Sequence, residues 1–101
     1  MRKKTEPYVG IQNEIHGGMT EIGRIVRDAW VFGIIPETET CEGWLLGGIQ
    51  SLVEKVNTRW EEYGCMVSRL PDDLRERHMR IHNEAITRAR KEGWEPEMYA
   101  E

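Results

Sequence analysis

Two histidines one helical turn apart, in the segment HMRIH at residues 78–82, are the pair in this sequence best spaced to do chemistry together. Residues four apart share a helix face, so His78 and His82 can offer two imidazole nitrogens to one metal ion. Zinc needs further ligands. His16, in the N-terminal segment, is the third expected donor, with Cys41 as a thiolate candidate and Glu14 or Glu42 as carboxylates. The ordinary reading competes strongly, because position 79 is Met and the pattern is not the HExxH of zinc peptidases. Histidines beside an apolar stripe are more often hydrogen-bonded core or boundary residues. Zinc or another transition metal is therefore the alternative cofactor, and no cofactor is the leading expectation.

The second chemical candidate is PETETCEGWLLGG, residues 36–48. Thr38 or Thr40 can cap a helix that begins here, with Glu39 and Glu42 in its positive first turn. The helix N-terminus lowers the Cys41 thiol pKa while the nearby glutamates raise it, so nothing marks an activated nucleophile. Gly43 and Gly47, on one face of such a helix, imply close approach of another backbone. Each costs about 0.5–1 kcal/mol relative to alanine. Trp44 falls away from the apolar seam and needs cover from the N-terminal arm, from Val31, Ile34 and Ile35, or from another molecule.

Other chemistries find little support. Arg75, Arg77, Arg80, Arg88, Arg90 and Lys91 spread around the third helix, and no aromatic residue lies between 71 and 92 to stack a base. With a net charge of −4, this describes a solvated helix with scattered ion pairs and no nucleic-acid partner. No phosphate-binding loop, dinucleotide fingerprint, CxxC pair or nucleophile elbow occurs. The longest apolar run, AWVFGII, falls far short of the roughly 20 residues that span a membrane. RKK near the start is not followed by an apolar signal core, so the expected location is the cytoplasm. Cys41 and Cys65, placed on one continuous helix, would sit roughly 36 Å apart and could not pair.

The elements that must position these residues form an all-α, three-helix bundle with flexible termini. Residues 1–19 read as an arm, where Ile11 and Ile15 allow a fourth short helix before Gly17 and Gly18. The first helix, 20–33, starts at an N-cap Thr20 and stops before Pro36. Its apolar face carries Ile22, Ile25, Val26, Ala29, Trp30 and Phe32, and its polar face Arg24, Arg27 and Asp28. The second, 39–63, carries seven-residue repeats, Leu46, Val53, Trp60, Val67 and Ile49, Val56, Tyr63, Leu70, flanked by Leu45, Leu52 and Met66, which predict a central spine. Gly64 either ends it or lets it run on to Arg69. The third, 71–92, opens on Pro71, Asp72 and Asp73 and closes on Gly93, with Trp94 folding back and a tail at 95–101.

Val31, Ile34, Ile35 and Trp44 are apolar residues that such a bundle has no need to bury, and Gly43 and Gly47 line the same region. The leading expectation is a non-enzymatic interaction module that binds a protein partner, or a second copy of itself, through that surface. Metal chemistry on His78 and His82 is the alternative.

Overall fold

The computed structural model describes residues 6–95, and among them the chain is all-helical with no strand. Its three helices are α1, Glu21–Val31; α2, Leu46–Glu61; and α3, Asp72–Lys91. Residues 1–5 and 96–101, where the sequence predicts flexible ends, lie outside the described residues. No helix among the described residues is long and apolar enough to cross a membrane. In place of one short fourth helix, the arm forms two 3-10 turns, Ile11–Asn13 and Ile15–Gly18. Between them and inside the second, Glu14 is extended and His16 and Gly17 are left-handed, which prevents a continuous helix.

Helix α1 starts as expected, with the Thr20 hydroxyl accepting from the Gly23 amide at 2.9 Å. Its end is a Schellman turn. Gly33 is left-handed at φ +69°, Ile34 N donates to Ala29 O at 2.9 Å, and Gly33 N donates to Trp30 O at 3.2 Å. That turn folds Ile34 back against the core, where it packs half-buried beside Ile35. Helix α3 closes with the same motif, as the sequence predicts: Gly93 has φ +95° and Trp94 N donates to Ala89 O at 3.0 Å.

The second helix departs most from expectation. It begins seven residues late, at Leu46, with Leu45 as N-cap and no side-chain cap. Residues 36–45 form a loop in which Cys41 and Gly43 are left-handed, at φ +63° and +85°. Thr38, Thr40, Glu39 and Glu42 therefore cap no helix. The loop is held by the arm instead: Tyr8 N donates to Trp44 O at 2.7 Å, Gly43 N to Tyr8 O at 2.8 Å, and Ile11 N to Thr40 O at 3.2 Å. Helix α2 ends at Glu61, before Gly64 and Cys65 turn left-handed, so it does not run on to Arg69.

The spine is α1, not α2. Seven of the eleven α1 residues are buried (Gly23, Ile25, Val26, Arg27, Asp28, Ala29 and Val31), against three of sixteen in α2 (Ile49, Leu52 and Val56). Helices α2 and α3 each pack on α1, and the arm's second turn packs on α3. The sevenfold repeat overstates the seam, because Leu46 is 46% exposed and Val67 lies beyond the helix. Close backbone approach does occur, but at other glycines. A Cβ at Gly17 would lie 2.6 Å from Ala89 Cα, and one at Gly23 would lie 2.0 Å from Gly18 O, whereas Gly43 and Gly47 meet nothing within 4 Å.

Candidate functional site

A cleft of about 440 Å3 opens along α1 where it faces α2 and α3. Helix α1 contributes Arg24, Arg27, Asp28 and Val31, spaced at the helical intervals that put them on one stripe. Helix α2 contributes Asn57 and Trp60, and the following turn Cys65 and Val67. Helix α3 contributes His78, Ile81 and His82, again one stripe. The histidine pair singled out by spacing thus lines a cleft shared by all three helices, and its partners on α1 come from the supposed solvent face of that helix.

Asp28 is the centre of this arrangement. Its residue is 7% exposed, and Oδ2 accepts from Trp60 Nε1 at 3.0 Å and from Arg24 Nη1 at 3.2 Å. Arg24 also reaches Glu21 at 2.7 Å, which raises its own pKa and lowers that of Glu21. Arg27, 8% exposed, donates to Gly18 O at 2.7 Å and contacts Met19 Sδ at 3.8 Å, tying the arm to α1. Burial pulls its guanidinium below the usual range, with Asp28 opposing. On α3, Arg77 donates to Val31 O at 2.9 Å, satisfying a carbonyl at the α1 end, and Arg80 pairs with Glu37 at 2.8 Å. The remaining basic residues of α3 are the scattered ion pairs and solvated charges expected of it.

An aromatic chain leads from Tyr63 and Phe32 to Trp60 and His78 in the cleft wall. Tyr63 stacks on Phe32 at 6.2 Å, Phe32 meets Trp60 edge-on at 5.1 Å, and Trp60 meets His78 edge-on at 5.9 Å. His82 lies nearly parallel to His78 at 6.0 Å. Burial pushes the half-buried His78 imidazole below its ordinary pKa, with Asp28 opposing and His82 adding to the depression. As pH falls, the unfolded chain therefore takes up this proton before the folded one does. The stability that rests on a neutral His78 should be complete above the ordinary histidine value of about 6.5 and be lost as pH falls through and below it. Melting temperatures at pH 7.5 and 5.5 should show a smaller acid-induced fall in His78→Gln than in the parent; equal falls would contradict the assignment.

The expected metal set does not assemble. Among the described residues, no group of three or more His, Cys, Asp and Glu is placed to hold a metal ion. His16 precedes Gly17, which sits on Ala89, eleven residues along α3 from His78 and so roughly 16 Å away along the axis. Cys41 is fully buried in the core, its thiol pushed up to about 11 by burial and then by Glu39, which is the inert reading of that residue. Cys41 and Cys65 are both free.

The expected partner surface is also rearranged. Val31 is 1% exposed and walls the cleft instead of facing solvent. Ile34, Ile35 and Trp44 are half-buried against the core, Trp44 with its carbonyl bound to the arm. What remains open is the next pair of residues, Leu45 at 56% and Leu46 at 46% exposure, followed by exposed Gly47 and Gly48. Sequence reasoning missed Asp28 and Arg27 because both oppose the α1 apolar face. The recurrence of Arg24, Arg27, Asp28 and Val31 at helical intervals was the signal that this face, too, packs against something. Compared with known protein families, curated proteins and solved structures, the chain matches none.

Proposed function

We propose that this chain is a cytoplasmic, non-enzymatic interaction module whose partner is a second copy of itself, joined through the start of α2. The observation that carries this reading is the exposure of two consecutive leucines, Leu45 and Leu46, at the start of α2. Large apolar side chains in sequence at a helix start gain nothing there in a monomer. Burying each against a partner is worth about 1.5–3 kcal/mol at full burial. Gly47 supports the reading, because nothing stands within 4 Å of the place its Cβ would take, leaving a shallow floor beside the leucines. Val9, 42% exposed, extends the apolar surface after Tyr8, whose amide binds the Trp44 carbonyl. A two-fold interface suits a short patch of this kind, since each side supplies both the knob and the floor.

Sedimentation velocity over a concentration series should show a dimer that dissociates on dilution. Leu45→Ser combined with Leu46→Ser should sediment as a monomer at every concentration, with its melting temperature lowered only slightly because neither side chain is in the core. A parent chain that stays monomeric at millimolar concentration would end this reading.

A further inference from the structure

The cleft between the three helices has its own polar inventory, independent of the leucine surface. Asp28 Oδ2 accepts from Trp60 and Arg24, whereas Oδ1 accepts no hydrogen bond from the described residues, and the side chain keeps 10% exposure. His78 and His82 meet Trp60 and each other through ring contacts, and among the described residues neither imidazole nor the exposed Asn57 amide is committed to a hydrogen bond. Arg24 spends two of its five N–H donors on Glu21 and Asp28. One acceptor and several donors therefore converge on a space walled elsewhere by Val31, Trp60 and Ile81. Two arginines against one aspartate leave the lining with one net positive charge, on a chain whose total is −4. Asp28 and His78 flank the same indole, at 3.0 Å from its Nε1 and 5.9 Å between rings, so one small molecule can span them. The volume lies within the range of small-ligand sites, about 300–1,000 Å3.

We infer that this cleft binds a small organic carboxylate carrying an O–H or N–H donor beside its carboxyl group and an apolar body. The carboxylate accepts from the imidazole N–H groups and Arg24, the neighbouring donor reaches Asp28 Oδ1, and the body lies along Val31 and Ile81. No bond is made or broken. The imidazole N–H groups and Asp28 Oδ1 have no hydrogen-bond partner among the described residues, Arg24 keeps N–H donors beyond those given to Glu21 and Asp28, and an acceptor left facing an apolar ligand would be penalised.

Three probes separate these contributions: mandelate, which has all three features; phenylacetate, which lacks the hydroxyl; and 2-phenylethanol, which lacks the carboxylate. Titrated into the full chain and followed by 15N NMR, mandelate should shift the Trp60 indole N–H saturably. Its Kd should be about tenfold below that of phenylacetate, with 2-phenylethanol weaker again. His82→Gln, at an exposed position, should weaken mandelate about tenfold without moving the melting temperature. The Leu45→Ser and Leu46→Ser pair should leave the affinity unchanged, so loss of dimerisation and loss of ligand binding are read separately. Equal affinity for the three probes, shifts confined to residues outside the cleft, or no saturable shift would each overturn the inference.

Discussion

Gly23→Ala is expected to destabilise the fold by about 3 kcal/mol, although alanine is the better helix former. Gly23 lies within α1 in ordinary helical conformation, so the backbone itself accepts a side chain. The obstacle is the arm. A Cβ there would stand 2.0 Å from Gly18 O and 3.1 Å from a Glu14 carboxylate oxygen. The arm cannot withdraw freely, because Gly18 O accepts from buried Arg27 and Gly17 is seated on Ala89. Relief of the clash therefore leaves a guanidinium without its carbonyl and opens the contact with α3. Gly47→Ala provides the contrast. It is also helical but faces open space, and should stabilise the protein by about 0.5–1 kcal/mol. Urea titrations of both variants, compared through their midpoints at constant slope, check the pair. An unchanged midpoint for Gly23→Ala would mean that the arm does not dock on α1.

Val56→Asp is expected to cost at least about 4 kcal/mol, a large share of the roughly 5–15 kcal/mol that holds a domain of this size together. Val56 has no exposed surface and belongs to the cluster of Ile25, Val26, Ala29, Cys41, Ile49 and Leu52. A carboxylate there must either stay charged without a partner or take up a proton at the cost of a raised pKa. Leu46→Asp, on the same helix but 46% exposed, should change stability by less than about 1 kcal/mol. Circular dichroism melting distinguishes the two. If both variants melted like the parent, the orientation of α2 would be wrong.

The amino-acid sequence by itself determined the class of fold and most helix ends, because those depend on residues close together in the chain. Thr20 caps α1 through an amide three residues on, and Pro71 and Gly93 bound α3 through local backbone geometry. Ile49, Leu52 and Val56 were legible as an inward stripe because helical periodicity alone puts them together. The Schellman turn at Gly33 was equally local, and its Ile34 was open to the same reasoning that placed Trp94. Tertiary structure alone decided the rest. Residues 36–45 carry good helix-start signals, yet hydrogen bonds from Tyr8 and Ile11, some thirty residues earlier, hold them as a loop. The same docking set which glycines are crowded: a Cβ at Gly17 or Gly23 would strike the backbone of another element, while one at Gly43 or Gly47 would meet nothing within 4 Å. It also turned the polar face of α1 inward. Covered by the arm and α3, Arg27 and Asp28 became buried, and Trp60 and His78 were brought to Asp28 from two other helices. Periodicity tells which residues share a face; what covers that face depends on contacts between distant residues, which no local pattern encodes.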